Sequence, residues 1–278
     1  MGGVVADAIL KILGTHDADT LRTMIRESVQ NSLDAKLENQ TPIYRIHPRT
    51  LTKTQQSALT CEIVGENVEE EGLKERIAAL SKGKLRVIEI EDHGTSGLAG
   101  PDRADRASKP NHWASFVLNI GQDVNHIEGG GTYGCGKSSL YAASGASLVC
   151  IYSRTRDEKK KLCNRFVAAA LSPGFSDAGG RLYSGRHWWG LKENKPERAS
   201  PVLDKDADKA AKSLGMRIRE GDDTGTSILI IDPSMKGGEN ELANTRELAS
   251  VLHEALLVHC WPLMHPEEKP KMRFEIWC

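Results

Sequence analysis

The sequence predicts an α/β (α+β) sandwich with insertions, and three observations predict it. Short apolar runs of strand length stop at Gly, Asp or charged turns; one long stretch has helical period; and two neighbouring apolar runs are separated only by a charged turn, which pairs them as adjacent strands. With 278 residues, 39% hydrophobic and 27% charged, the chain can bury a full core in one large or two smaller domains. Its formal charge of -1 gives no global pull toward nucleic acid or anionic membrane. Six cysteines (Cys61, Cys135, Cys150, Cys163, Cys260 and Cys278) lack C-x-x-C spacing, a pattern of reduced thiols rather than disulfides or zinc ligands. No signal peptide or long apolar span is visible, so a soluble, cytoplasmic protein is expected.

In chain order, Leu21, Met24, Ile25, Val29, Leu33 and Leu37 recur at helical spacing and form an apolar stripe. Glu27, Asn31 and Asp34, at offsets 0, 4 and 7, share a separate polar face of that helix. A Glu one turn before an Asn sets a general base beside a neutral oxygen ligand, a pairing suited to activating water near a magnesium-bound phosphate. Taken alone, the same pattern describes a solvated helix face; three downstream segments give it weight. Lys84–Asp92 reads as a strand that ends on an acid and turns through His93-Gly94-Thr95-Ser96-Gly97. Gly129–Ser139 is a glycine loop opening a short helix, whose N-terminus can face phosphate oxygens. Gly225-Thr226 immediately precedes a buried strand at Ser227–Asp232, with a hydroxyl at its entrance. Between the last two, Ser147–Arg154 and Asn164–Leu171 read as strands joined by a solvated tip at Asp157–Lys161, and Asp204–Leu214 reads as a helix. A further helix runs from Glu239 to about His259, and Lys271–Trp277 alternates as a strand. The cluster Gly185-Arg186-His187-Trp188-Trp189-Gly190 is expected to close a hairpin onto the core, one Trp buried and the other covering a seam, because no basic stripe extends it into a nucleic-acid groove. His47, His112, His126 and His253 have no partners at ligand spacing and read as ordinary residues.

Glu27/Asn31/Asp34/Ala35, Asp92/Gly94/Gly97, Gly131/Gly134/Gly136 and Gly225/Thr226 stand in this order along the chain. Together they resemble the four motifs of the GHKL ATPase superfamily, the group containing gyrase B, the ninety-kilodalton heat-shock chaperone, histidine kinases, MutL and the MORC proteins. The likeness covers most of the chain, and the second motif is D-x-G-x-x-G here, one residue longer than the family form. The resemblance implies a Bergerat-type ATP-binding fold, a two-layer sandwich with a mixed, largely antiparallel sheet, and ATP and Mg²⁺ as ligands. It implies that Glu27 polarises the attacking water, Asn31 binds Mg²⁺, Asp92 accepts from the adenine amino group and Thr226 supports that acid. The implied nucleotide-binding set is Asn31, Asp34, Ala35, Asp92, Gly94, Gly97, Gly130, Gly131, Thr132, Tyr133, Gly134, Cys135, Gly136, Lys137, Ser138 and Thr226. Physical reasons agree, since a carboxylate selects a base bearing an exocyclic amine and glycines let backbone pass close to a ring or a triphosphate. The implied layout is an ATP-binding domain over 1–235, with a lid at about 98–137 and an inserted segment at about 155–224, and then the start of a transducer domain over 236–278. Homodimerisation on ATP binding is implied as well. So is slow hydrolysis by this piece, because a cation from the following domain completes the family's site.

A rival lies in the glycine loop, where Gly131–Ser138 (GTYGCGKS) satisfies the P-loop pattern and Ile228–Asp232 imitates the strand that would bring a second acid to Mg²⁺. A P-loop needs a buried strand leading into its first Gly, and Asp123–Glu128 reads as a polar loop; the rival also leaves Glu27, Asn31 and Asp92 unexplained. Lys137 is either a phosphate contact or a solvated lysine at a helix start. Three function classes remain: an ATP-hydrolysing clamp in a larger machine for DNA transactions, chaperoning or prokaryotic defence; a histidine-kinase-type phosphotransferase, for which no helix with an acceptor His precedes the site; and a nucleotide sensor that does not turn ATP over. The first uses Glu27 best.

Overall fold

A computed structural model of the chain describes residues 17–65, 68–102, 109–118, 135–191, 200–233, 236–237, 240–264 and 271–278. Helix α1 (Asp17–Asp34) buries Leu21, Met24, Ile25 and Val29 on one face, as their spacing predicts. Strand β1 (Ile43–Thr50) follows; Arg45, His47, Pro48 and Arg49 interrupt its apolar pattern, which hid it in the sequence. Helix α2 (Lys53–Ser57), closed by a capping box between Thr52 and Gln55, runs into a π-helical turn at Ala58–Val64, and α3 (Glu71–Ala79) leads to β2 (Arg86–His93). Helix α4 (Cys135–Ala142) enters the hairpin β3 (Leu148–Arg156) and β4 (Leu162–Leu171). Its tip is the expected solvated turn, where Asp157 Oδ1 accepts from the Lys159 and Lys161 amides at 2.9 and 2.8 Å. Short strands β5 (Phe175–Ser176), β6 (Leu182–Tyr183), β7 (Arg186–Trp189) and β8 (Val202–Leu203) precede α5 (Asp204–Ser213) and β9 (Gly225–Ile231). Then come β10 (Lys236–Gly237), β11 (Asn240–Glu241), α6 (Thr245–Cys260) and β12 (Arg273–Ile276).

The main sheet has eight strands in the order β12-β1-β2-β9-β3-β4-β7, with β8 also on β4. Every pair is antiparallel except β12 with β1, so the sheet is mixed and largely antiparallel, as expected. Residue alternation splits it into two buried faces. Ile88 and Ile90 of β2 and Ile228 and Ile230 of β9 pack under α1, α4 and α6, while Val87, Leu229 and Ile231 face the opposite core with Leu59, Leu73, Ile77, Ala207 and Leu214. The sheet therefore carries helices on both sides, and two layers understate the architecture. Burying each such Leu or Ile contributes about 1.5–3 kcal/mol, so both faces matter to stability. Among the described residues, no helix is long and apolar enough to cross a membrane.

The segment read as the start of another domain packs on the α1 core and on the sheet edge. Leu248, Leu252 and Leu256 of α6 join the α1 core, and β12 extends the sheet edge in register with Ile43–Ile46. The segment read as an insertion likewise supplies β4, β7 and β8 to the main sheet. The aromatic cluster is structural. Trp188 donates from Nε1 to the Val117 carbonyl at 3.1 Å and packs on the α1-side core, Trp189 packs on the other face, and His187 stacks between Phe175 and Trp189. Both Trp are half-buried, one on each face, where one buried and one covering was expected.

Candidate functional site

Period-two alternation places Asp92 on the face of β2 that carries Ile88 and Ile90, so its carboxylate looks toward α1. Three separate parts of the sequence meet there. Asp92 Oδ2 accepts from Ser32 Oγ of α1 at 3.0 Å; Oδ1 accepts from Thr95 Oγ1 at 2.6 Å and from the Thr226 amide at 2.8 Å. A carboxylate has about four acceptor positions, so one on the Oδ2 side has no partner among the described residues. Thr226 thus supports Asp92 through its backbone N–H, while its hydroxyl is shared with Ser153 Oγ at 3.1 Å. Gly225 makes this approach possible: a Cβ there would lie 2.2 Å from the Asp92 carbonyl oxygen and 2.6 Å from Oδ1.

The turn after Asp92 is pinned on both sides. The Ser96 amide donates to the Ala35 carbonyl at 2.8 Å and the Leu37 amide to the Gly94 carbonyl at 3.1 Å, fixing the end of α1 to the turn. Across the sheet, Ser153 Oγ accepts from the Leu98 amide and Thr155 Oγ1 donates to the Ser96 carbonyl, both at 2.8 Å. Gly97 belongs to this fit despite the longer motif: it has φ +62°, and a Cβ would meet the Arg154 carbonyl oxygen at 2.3 Å. Gly97→Ala is expected to cost about 1–3 kcal/mol from the left-handed backbone alone. A urea melt checks this, and an unchanged midpoint would mean the turn does not need glycine.

Asn31 and Glu27 lie one and two turns before the end of α1. Asn31 is half-buried, and among the described residues its amide makes no side-chain hydrogen bond, which leaves an oxygen free for a ligand. Mg²⁺ commonly takes one protein oxygen and completes its shell with phosphates and water, so this amide fits that ion when a nucleotide is bound. The Glu27 side chain is 25% exposed, and its Oε1 accepts from Arg26 Nε at 3.1 Å and Nη2 at 2.8 Å, leaving Oε2 without a described partner. Asp34 is exposed and accepts from Gln30 Nε2 at 2.7 Å; Ala35 acts through its backbone.

Gly130, Gly131, Thr132, Tyr133 and Gly134 lie outside the described residues, and of Cys135 and Gly136 only the helical backbone is described. Lys137 is half-buried. Its Nζ donates to the Ser115 carbonyl at 2.8 Å and Oγ at 3.1 Å, and burial lowers its pKa. Ser138 is buried in α4. The described part of the expected lid is built into the core: Trp113 is fully buried beneath Arg165, and Ala114–Leu118 form a π-helical turn. Asp232 sits at the far end of α4, where the Gly145 amide donates to its carbonyl at 2.6 Å. Ser138 lies about 6 Å of helix rise before that end, and both neighbours of β9 are antiparallel to it.

Ser32, Thr95, Ser153 and Thr155 were missed in the sequence. The available signal was a pair of buried hydroxyls in the apolar strand β3 and a Thr three residues after the acid. Compared with known proteins, the chain matches no family model, and no curated protein matches it.

Proposed function

We propose that the chain is a Mg²⁺-dependent ATP-binding and ATP-hydrolysing module of the Bergerat type, in which nucleotide orders the lid and favours pairing of two copies. The observation that carries this reading is the convergence on Asp92, where α1, the β2 turn and the start of β9 each supply a donor to one carboxylate. Such a clamp holds an acceptor at fixed angle for the exocyclic amine that adenine presents at C6, where guanine carries a carbonyl. Asn31 then offers an oxygen to Mg²⁺, which neutralises phosphate charge when bound with the nucleotide. Glu27, one turn earlier on a helix held rigid by its buried face, orients and deprotonates the attacking water.

The P-loop alternative draws no support from the positions of Asp232 and Ser138: Asp232 meets Gly145 beyond the C-terminal end of α4, while Ser138 lies in the middle of that helix. Two variants separate the readings. Asn31→Ala is expected to remove the Mg²⁺-dependent part of ATP affinity, while Asp232→Ala leaves it unchanged; titration calorimetry with and without Mg²⁺ reads both, and the reverse outcome would establish the P-loop site. Steady-state phosphate release tests turnover, and ATP binding without release would make the chain a nucleotide sensor. Mass in solution with a non-hydrolysable ATP analogue tests pairing, and an unchanged monomer mass would remove that part.

A further inference from the structure

Behind Asp92, on the opposite face of β2, lies a buried charge cluster for which the nucleotide reading has no use. His93 stands at its centre. Its Nδ1 is 2.7 Å from Asp223 Oδ2 and its Nε2 is 3.2 Å from Glu91 Oε2. Arg45 of β1 donates from Nη1 to the same Glu91 oxygen at 2.6 Å and from Nε to Glu275 of β12 at 2.8 Å, with Nη1 also 3.2 Å from His93 Nε2. Arg219 lies 3.2 Å from His93 Nδ1, 3.3 Å from Asp223 and 3.1 Å from Ser227 Oγ of β9. The backbone of Gly94 helps to hold the Asp223 pKa below its usual value. Nearby, Arg49 and Glu89 form a separate pair at 2.8 Å, and Arg217 lies over the Trp277 ring, which Arg45 also faces.

Two features of this cluster bear on protonation. First, a carboxylate lies at each ring nitrogen, so the imidazolium donates to both, while the neutral ring has one N–H and keeps a donated bond to only one of them. Second, Glu91, Asp223 and Glu275 outnumber Arg45 and Arg219, the guanidinium groups paired with them, so a proton on His93 balances this set. Burial opposes the charged ring, but the hydrogen bonds to Asp223 and Glu91 outweigh it and raise the His93 pKa; for Glu91, burial is outweighed by the bonds from His93 and Arg45, and its pKa falls to about 2. Sequence position links this cluster to the site. His93 is the neighbour of Asp92, and Asp223 precedes Gly225-Thr226 by two residues, so the His93–Asp223 contact ties together the two segments that build the Asp92 clamp.

We propose that His93 is a pH-responsive clasp: protonated, it binds the β2 turn to the Asp223 loop and keeps the Thr226 amide on Asp92, and proton loss loosens that closure. The sign is set by the raised pKa, since a folded state that prefers the imidazolium is held tightest at low pH and loses this contribution as pH rises through the His93 midpoint. A charge-assisted hydrogen bond is about twice as strong as a neutral one, which is the change felt at Asp223. The effect on nucleotide rests on the function proposed above; the clasp itself does not.

The test uses the full chain without ligand. Amide hydrogen exchange at Gly94 and Thr226, corrected for intrinsic base catalysis, is followed from about pH 5.5 to about pH 9 alongside the His93 titration by NMR. Protection is expected to fall about three- to tenfold across the His93 midpoint. In His93→Gln, and independently in Asp223→Asn, the corrected protection should be flat with pH. An undiminished fall in either folded variant, or flat protection in the parent chain, overturns the clasp. ATP-analogue affinity over the same range should weaken in parallel in the parent and stay level in His93→Gln. Exchange that switches in a chain binding no nucleotide at any pH would uphold the clasp and overturn the nucleotide reading.

Discussion

Glu27→Ala is expected to leave ATP affinity within a few-fold of the parent while phosphate release falls by about 100-fold or more, the scale of a lost general base. The separation of the two effects comes from where Glu27 sits. Its neighbours Met24, Ile25 and Val29 hold α1 on the sheet through the buried face, and Ala is the best helix former, so the substitution leaves the helix and Asn31 in place. The only described partner lost is Arg26, whose side chain is 56% exposed, and an ion pair of that exposure contributes about 0–1 kcal/mol. Neither binding nor stability has a reason to collapse. Glu27→Gln sharpens the result, because it keeps the volume and the acceptor toward Arg26 but cannot take a proton from water at neutral pH. Single-turnover measurements with saturating ATP isolate the step. Turnover unchanged in both variants would remove Glu27 from the chemistry and leave α1 as a binding element only.

The elements that could be read from sequence are those with one clear period and one clear environment. The α1 stripe, the β3–β4 hairpin and the buried run of β9 are of this kind, and each occurs within a few residues of its expected bounds. β1 escaped because its polar residues are not solvent-facing: Arg45 and Arg49 lie against Glu91 and Glu89 of β2. β2 was read as a strand, but nothing in its sequence told that Glu89 and Glu91 are buried, at 1% and 2% exposed. Buried ion pairs thus imitate surface in a sequence, because the partner that neutralises each charge is distant along the chain. For the candidate site, Asp92, Gly97, Gly225 and Thr226 were singled out by the motif resemblance, and the structure brings them together. Ser32 and Ser153 were not, since a single Ser carries no local signal of which acceptor it will reach.

Asp92→Asn is expected to give the largest loss of affinity, at least about 100-fold for ATP, with the fold retained. The three donors around Asp92 decide how an amide would sit. Oδ1 receives two of them, from Thr95 and the Thr226 amide, so Asn keeps its carbonyl on that side and turns its NH₂ toward the Oδ2 position. Ser32 can accommodate the change, because its hydroxyl already has the Ser28 carbonyl as a second acceptor at 3.0 Å and can accept from the amide instead. An incoming adenine amine has no such freedom. It would meet an N–H where it needs an acceptor, and a site built to hydrogen-bond one group discriminates by about 10⁴–10⁵ against a ligand that leaves its buried groups unpaired. Partial solvent access at Asp92, which is half-buried, brings the expected loss down toward 100-fold. Titration with ATP and GTP reads the outcome: the parent should favour ATP, and the variant should lose that preference along with affinity. A parent that binds GTP as tightly as ATP, or a variant that keeps ATP affinity, would take the adenine amine away from Asp92 and leave its three donors as a structural tie between α1, β2 and β9.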